Sequence, residues 1–476
     1  MGGQVHSLPV FSTDFQKDAR KASANVPLRT ATTDACISKD DGRRRLMGDL
    51  ADPQALRELA SKIKAHTIEH LGHYLTELAR NVEGHGGVVH FARTGAEANQ
   101  VIAEIARQNG CKTIVKSKSM ATEETQLNHA LEAAGLMPIE TDLGELIVQL
   151  AEDRPSHLIM PVIHMKAKAI GEVFAKFFKV PFTEDPPELA ELARRYLREH
   201  FRNADMGVSG VNFGIAETGS IVICTNEGNG RMCTTRPRIH VALMGMEKVL
   251  PRLADLGVFL KLLARSAASQ PITQYTNIIS GPRRAGELDG PEQFHLVILD
   301  NGRSKIWHSD YQETLHCIRC GACLNACPVY RTIGGHAYGS VYPGPIGALL
   351  VPLFNGLEGH ADLPQATSLC GACYEACPVK INIPEMLVRM KRDLGKTSAM
   401  PWSQRMLFKL WTRGLLTGAG YRLGQKVQRM ALREMMPGSG EWVTKLPGAA
   451  GGWTDSRDFP KPAKRTFREM WKERER

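Results

Sequence analysis

The chain has no apolar run long enough to span a membrane. Its longest apolar stretches, such as Ile346 to Phe354, are short and broken by Gly and Pro, whereas a spanning helix needs roughly 20 apolar residues. The opening Met1-Gly2-Gly3-Gln4-Val5-His6-Ser7 has no basic-then-apolar layout, and its sixth residue is His rather than the Ser or Thr of a myristoylation signal. Nucleotide fingerprints are also missing. No G-x-G-x-x-G follows a strand and opens a helix, no G-x-x-x-x-G-K-[ST] occurs, and Gly84-His-Gly86-Gly87 precedes a strand instead of following one. A cytoplasmic chain is therefore expected, and any two-electron cofactor is expected on another chain.

What is present is 476 residues, 43% apolar and 23% charged, close to globular averages. That length carries a prior of about three units. Charge is uneven: residues 400–476 hold 16 Lys and Arg against 7 Asp and Glu, a net +9 of the chain's +10. The high basicity thus belongs to a tail, which also holds five of the six Trp. No nucleic-acid recognition module accompanies it, so nucleic acid is not expected as a partner. Trp402, Leu407, Trp411, Leu415 and Leu416 lie among Arg405, Lys409 and Arg413, a composition compatible with a membrane surface, an acidic partner or packing within an assembly.

The organisation reads as four segments. Residues 1–50 are polar and expected to be irregular. Asp52-Pro53 then opens one long helix with Leu56, Leu59, Ile63, Leu71, Tyr74, Leu78 and Val82 at helical period. Residues 51–300 alternate strand-like runs (Val88–Phe91, Thr113–Val115, Leu158–Met160, Ser220–Cys224) with amphipathic helices (Ala96–Arg107, Thr122–Ala134, and one from Asp185-Pro186 to about Phe201). This is an α/β pattern with a sheet covered by helices. Residues 301–398 lose the strand signals, and residues 399–476 form the basic, Trp-rich extension.

Seven of the eleven cysteines fall between positions 317 and 377. In a reducing compartment such clustering points to metal or redox chemistry. Cys317-Ile-Arg-Cys320-Gly-Ala-Cys323-Leu-Asn-Ala-Cys327-Pro328 is the C-x₂-C-x₂-C-x₃-C-P run of bacterial-type ferredoxins. A second group, Cys370-Gly-Ala-Cys373-Tyr-Glu-Ala-Cys377-Pro378, repeats it, with Thr367 where the first thiolate would stand. The Cys before Pro ligates the other cluster in two-cluster proteins. Crossed ligation then assigns Cys317, Cys320, Cys323 and Cys377 to one cluster and Cys327, Cys370 and Cys373 to the other. Two [4Fe–4S] clusters are expected. The second is one ligand short, leaving open a [3Fe–4S] cluster, a non-Cys ligand, or a fold-back of Cys36, Cys111, Cys224 or Cys233. Zinc is the competing reading, but it has no use for the third Cys of the tight run.

Weaker constellations accompany this. His66, His70 and His73 share a helix face, where partly solvated histidines are expected in preference to a metal site. Glu217-Thr-Gly-Ser-Ile221 and Asn226-Glu227-Gly228-Asn229-Gly230-Arg231 flank one strand and could be an anion or carboxylate pocket or two tight turns. Lys116-Ser-Lys-Ser119 precedes a helix start, where capping by Ser119 or Thr122 competes with anion binding.

Taken together, the sequence resembles the lactate utilization protein B family, iron–sulfur proteins of bacterial L-lactate oxidation systems, over roughly residues 40–460. Ser117-Lys-Ser-Met-Ala-Thr-Glu-Glu124, Glu140-Thr-Asp-Leu-Gly-Glu145 and Pro155-Ser-His157 carry the resemblance. So do Thr225 to Arg231, Gly334-Gly-His-Ala-Tyr-Gly-Ser-Val-Tyr-Pro343 and both cysteine groups. It implies a sugar isomerase/CoA-transferase-like α/β domain, an α-helical ferredoxin module and a C-terminal extension. It also implies partner subunits, one cysteine-rich and one a shorter lactate-utilization-domain protein. The family's second cysteine group is similarly one Cys short. The implied role is electron carriage in lactate oxidation to pyruvate, not substrate holding, with His316 and Arg319 as neighbours that tune the clusters. The competing roles are an electron-transfer subunit of another hydroxy-acid or quinone-linked dehydrogenase, a CoA- or sugar-phosphate-handling enzyme, and a zinc-stabilised scaffold.

Overall fold

A computed structural model describes residues 8–397, 402–435, 441–448, 451–454, 457–463 and 465–474. The chain divides into two compact units, residues 1–394 and 395–476.

Among the described residues the first unit has ten strands: β1 (Val88–Ala92), β2 (Thr113–Lys116), β3 (Met137–Glu140), β4 (Met206–Gly210), β5 (Phe213–Ile215), β6 (Ser220–Thr225), β7 (Ile239–Gly245), β8 (Val249–Leu250), β9 (Tyr275–Ile279) and β10 (Gln293–Leu299). Six of them form a parallel sheet in the order β1-β10-β7-β4-β2-β3. Parallel sheets need both faces covered, and β7 at the centre has all seven residues buried. Ile102 and Ile105 pack on one face with Val208, Val241, Leu243 and Val297. The smaller sheet, β8-β5-β6-β9, shares one continuous apolar core with the cysteine-rich helices, running from Phe213, Val222 and Phe259 to Leu324, Tyr330 and Leu349. A mixed α/β fold with a parallel sheet is thus present.

Several elements differ from the expected pattern. The opening residues are not irregular: Phe15–Ala24 and Val26–Gly48 are helices. The second starts where the Asn25 side chain accepts from Leu28 N, with Pro27 in the first turn. It buries Thr32, Cys36, Asp40 and Met47, and a buried face that is half polar gives no apolar stripe to read. The long leading helix is two, Pro53–Glu69 and Leu71–Gly84, because the chain turns at His70 (φ −106°, ψ 28°). Its expected start holds: Asp52 accepts from Ala55 N at 2.8 Å. The helix expected over 122–134 is split at Gln126, which sits at φ 53°. Leu158–Met160 is not a strand; the backbone amides of Ile159 and Met160 both donate to His157 Nδ1, which folds the segment into a turn.

In the second unit Trp402–Leu415 and Gly418–Met435 are helices. Trp442–Val443 pairs antiparallel with Phe459–Pro460, and Phe467–Arg474 is a terminal helix. Trp402, Trp411 and Leu416 in the first part of this unit are exposed. The Gly438-Ser439-Gly440 stretch lies outside the described residues. No helix among the described residues is long and apolar enough to cross a membrane.

Candidate iron–sulfur centre and adjoining cavity

The two cysteine loops are built as a structural repeat. Arg319 and Gly321 adopt left-handed backbone at φ 62° and 73°, and Leu369 and Gly371 do so at 53° and 83°. Left-handed backbone is costly for Arg and Leu, so its recurrence at matching positions marks a conformation that the loops require. Helices Ala322–Ala326 and Ala372–Ala376 follow, and Cys327 and Cys377 end them with nearly equal torsions (φ −82° and −69°, ψ 120° and 118°). The repeat extends to the missing cysteine. Cys317 Sγ accepts from Arg319 N at 3.4 Å, and Thr367 Oγ1 accepts from Leu369 N at 3.0 Å. Thr367 therefore occupies the backbone position of Cys317 with a hydroxyl in place of a thiol.

Burial, then mutual proximity, pushes the thiols up. Cys323 is raised well above its ordinary value by burial and then by Cys317, Cys320, Cys373 and Cys377. Cys320 is raised by burial and Cys377, and Cys377 is pushed up to about 11 by burial, with Cys317 among its neighbours. Cys373 is pushed up to about 12 by burial and Cys327. The structure thus gathers Cys317, Cys320, Cys323 and Cys377 in one neighbourhood and Cys327, Cys370 and Cys373 in another, with Cys323 and Cys373 facing across. Thiols this buried stay protonated unless a metal takes the proton's place.

The donor set fits iron–sulfur ligation. It is all soft sulfur, and backbone amides already aim at it: Tyr330 N at Cys327 Sγ (3.5 Å) and Ile381 N at Cys377 Sγ (3.4 Å), besides Arg319 N. The first neighbourhood is mostly interior: Cys320, Cys323 and Cys377 are buried and Cys317 is half-buried. The second reaches the surface at Cys370, which is exposed and whose thiol is lowered by the Ala372 amide and the Ser368 hydroxyl.

The four remaining cysteines sort by position. Cys111 packs in the core on the far sheet face, Cys233 contacts Thr141 Oγ1 at 3.3 Å, and Cys224 lines a cavity described below. Cys36 alone comes to the cysteine loops. It lies on the helix face between Thr33, which donates to Arg331 O at 3.0 Å, and Asp40, which pairs with Arg331 at 3.3 Å. It is fully buried, and its thiol is pushed up to about 12 by burial, with Cys327 among its neighbours.

Helices from the N-terminal half hold the loops. Arg57 Nε and Nη2 donate to Cys377 O at 3.0 and 2.8 Å, capping the helix that ends there. His157 Nε2 contacts Asn325 Oδ1 at 3.1 Å, and a Cβ on Gly321 would lie 3.1 Å from the His157 ring, so close packing as well as φ requires glycine there.

Beside the first loop lies a cavity of about 530 Å³. It opens at the carboxyl ends of the parallel strands, lined by Ser117–Ala121 after β2 and Gly210–Asn212 after β4. Successive connections run outward from β2 to β3 and inward from β4 to β7, so this is where the strand order reverses, the usual ligand position in such sheets. Ile318 and Arg319 line it, but none of the seven clustered cysteines does. In its wall Arg303, 1% exposed, is held by both oxygens of Glu124 (2.7 and 2.8 Å) and by Glu247 (2.5 Å). Arg319 donates to Glu247 at 3.3 Å and lies over the Tyr342 ring at 4.8 Å. Flanked by two guanidinium groups, Glu247 is held down at about 2 despite its burial.

The weaker candidates separate. Asn226, Glu227, Asn229 and Gly230 line the cavity, whereas Glu217 accepts from Leu253 N at 2.8 Å and starts a helix. Lys118 lines the cavity, paired with Glu145 at 2.8 Å, whereas Lys116 is buried against Glu140 at 2.7 Å. Ser119 caps its helix through Thr122 N and also lines the cavity. His66 contacts the Tyr74 hydroxyl at 2.8 Å, and His70 its own helix carbonyl, so these two make ordinary local bonds. His316 is buried and held down at about 3 by burial and Lys64. Sequence reading missed Asp153, His164 and His336, whose ligand atoms lie within 4.8 Å of one another; 172 residues separate His164 from His336, and no spacing rule joins them.

The LUD domain family matches residues 75–299, a 4Fe-4S dicluster domain residues 313–381, and the family described as lactate utilisation protein B, C-terminal, residues 390–476. Lactate utilization protein B of Oceanobacillus iheyensis is 44% identical over 469 residues, covering 98% of both chains. The protein of the same name from Shouchella clausii is 42% identical over 471 residues, covering 99% of both, and that of Bacillus cytotoxicus 43% over 447, covering 94% of both. A crystal structure of a DUF162 family protein from Deinococcus radiodurans overlaps 48% of this chain and 98% of its own at 11% identity. Its TM-score of 0.27 is too low to bear on the fold.

Proposed function

Because the chain belongs to the lactate utilization protein B family, we propose that it is the iron–sulfur electron-transfer subunit of a multi-subunit system that oxidises L-lactate to pyruvate, allowing lactate to serve as a carbon source. One observation carries this reading. An interior cysteine neighbourhood adjoins a second one that reaches the surface at Cys370, so electrons have a route from inside the chain to a partner. Iron–sulfur clusters, when bound, take up and release electrons singly, which suits division of the two electrons of a 2-hydroxy acid between two centres.

This chain's residues then have defined tasks. Cys317, Cys320, Cys323 and Cys377 hold the interior centre, and Cys327, Cys370 and Cys373 hold the outer one. The amides of Arg319, Tyr330 and Ile381 stabilise sulfur charge. Arg319 keeps positive charge beside Cys317, which favours the reduced state there. Both centres are read as [4Fe–4S], the outer one with a fourth ligand other than a cysteine of its own loop. The first 300 residues are read as a sugar isomerase/CoA-transferase-like domain behind residues 1–50, followed by the two-centre module (301–398) and the extension (399–476). A cysteine-rich subunit and a shorter LUD-domain subunit are the expected partners in the cytoplasm, and the exposed tryptophans and basic residues of the extension suit contact with them or with a membrane surface.

The test is anaerobic purification with iron and sulfide analysis and EPR before and after dithionite. Roughly eight iron atoms per chain with an interacting signal only after reduction is the expected result. About seven iron with a signal in the oxidised state would replace the outer centre by a three-iron one, and zinc without sulfide would overturn the reading.

A further inference from the structure

One cluster of metal-ligating side chains contains no cysteine and is not among the groups assigned to the two centres. Asp153, His164 and His336 each place a ligand atom within 4.8 Å of the other two. His336 Nε2 lies 2.8 Å from the Arg154 carbonyl, which can only accept, so in the neutral ring the proton is on Nε2 and Nδ1 keeps its lone pair. That Nδ1 has no hydrogen-bond partner among the described residues. Metal-binding histidines characteristically donate their other N–H to a carbonyl in this way. Asp153 is fixed from its other side: Oδ1 accepts from Arg154 N at 2.7 Å, which leaves Oδ2, 2.9 Å from His164 Nε2. No Lys or Arg pairs with that carboxylate among the described residues; the Arg154 guanidinium lies over the Phe11 ring at 4.5 Å instead. The Asp153 side chain is 36% exposed and that of His164 11%, so an ion can enter from solvent. A plain Asp–His hydrogen bond accounts for two of these residues. It does not account for the third ring, 4.6 Å from that of His164 between centroids, with its lone pair unused.

We propose that Asp153, His164 and His336 bind one divalent transition-metal ion, such as zinc, through two imidazole nitrogens and a carboxylate oxygen. Imidazole and carboxylate suit such ions, and three protein ligands leave a fourth position for water. Ligand atoms around a tetrahedral zinc stand about 3.4 Å apart, so side-chain rotations close the site. One side of it is weak. His164 Nδ1 is buried with no hydrogen-bond partner, and ligation through Nε2 moves the ring proton onto Nδ1, where nothing accepts it. A missing outer partner costs about 10–100-fold in metal affinity, so a Kd on the order of micromolar is expected. The ion joins two segments distant in sequence. Residues 153–164 include His157, which packs against Gly321 of the first cysteine loop, and His336 follows the helix that Cys327 opens. It thus ties the α/β half of the first unit to the cysteine module. This inference goes beyond the electron-transfer reading and does not depend on electron flow.

The experiment is equilibrium dialysis of the full-length, iron-loaded protein against zinc under argon, with iron and zinc counted and the zinc shell read by X-ray absorption. One zinc per chain is expected, with nitrogen and oxygen at about 2.0–2.2 Å and no sulfur at about 2.3 Å. His336→Gln and Asp153→Asn, at unchanged iron content, are each expected to weaken binding by roughly tenfold or more, the loss of a ligand exceeding the loss of an outer partner. His70→Gln, on the exposed face shared by His66, His70 and His73, is expected to leave zinc uptake unchanged. No zinc uptake, sulfur in the zinc shell, loss of the zinc in His70→Gln, or an unchanged Kd in iron-loaded Asp153→Asn would each overturn the proposal. If His336→Gln loses iron, Asp153→Asn decides alone, because its side chain is at the surface. A protein that takes up zinc at this site but is never reduced by lactate and its partner subunits would defeat only the electron-transfer reading. The reverse result would defeat only this one.

Discussion

Glu247→Gln is the most informative single change, because one buried carboxylate serves two guanidinium groups. Glu247 is 1% exposed, with Arg303 Nε at 2.5 Å on one oxygen and Arg319 Nη2 at 3.3 Å on the other. A carboxyl held at about 2 instead of the usual 4.5 favours the ionised form by roughly 3 kcal/mol. Breaking a buried pair by removing one partner costs about 3–5 kcal/mol. The two routes agree on a loss of about 3 kcal/mol, reduced slightly because Arg303 keeps Glu124. Urea unfolding of the iron-loaded protein under argon at pH 7.5, followed by far-UV circular dichroism, measures it. The folded value lies below the unfolded one, so the contribution is complete above 4.5 and fades only as pH falls towards 2. The difference between parent and variant is therefore expected to be constant from pH 8 to about 5.5. The midpoint potential of the interior centre is expected to rise, since a negative charge beside Arg319 is lost. A stability loss under about 1 kcal/mol, or one that varies between these pH values, would refute the assignment of Glu247 as the shared counter-ion.

Three further outcomes are expected. Cys320→Ser should remove the signal of the interior centre and Cys373→Ser that of the outer one, read by EPR and iron content; loss of the same signal in both would defeat the crossed assignment. Cys36→Ser should alter the EPR of the outer centre and leave the interior one intact, because Cys36 is the remaining cysteine that approaches Cys327; unchanged spectra would exclude it as the missing ligand. A chain ending at Leu394 should keep its full iron content and unfold at the same urea midpoint, because the first unit closes there; iron loss would show that the tail is needed for the centres.

The cysteine spacing was the most legible part of this sequence, since ligand geometry is local and loops of a dozen residues carry it. The structure added that Thr367 takes the backbone role of Cys317, down to the same i+2 amide bond. The α/β class was legible from β1, β2 and β6, whose apolar runs are bounded by turn residues. The strands β4, β7 and β10, which build the sheet's centre, were not picked out. Ser209, His240 and His295 interrupt their apolar runs, and two of these, Ser209 and His240, bond each other through Oγ and Nε2 at 2.8 Å, a pairing visible only once the strands are adjacent. The cavity was half legible. Glu227 and Lys118 sit in motifs that drew attention, while Lys248 and Glu247 stand in an unremarkable Met-Glu-Lys turn after β7. The helix Val26–Gly48 escaped because its buried face is polar, and that face meets Arg331 from the other end of the unit.

That meeting has a consequence for how the protein is made. Asp40 and Arg331 are 291 residues apart in the chain, and Arg57 waits still longer for the carbonyl of Cys377, 320 residues on. At about 5–20 residues per second, ribosomal synthesis takes roughly 15–60 s to cover either interval. Throughout that time the N-terminal helices have emerged without the cysteine loops they will hold, and Asp40 has only Arg43 and Arg44 of its own helix to pair with. With the crossed ligand set proposed above, neither centre could be completed before Cys370 and Cys377 have been translated. A ribosome that stalls before Cys377 releases a chain whose leading helices are left without their counterpart.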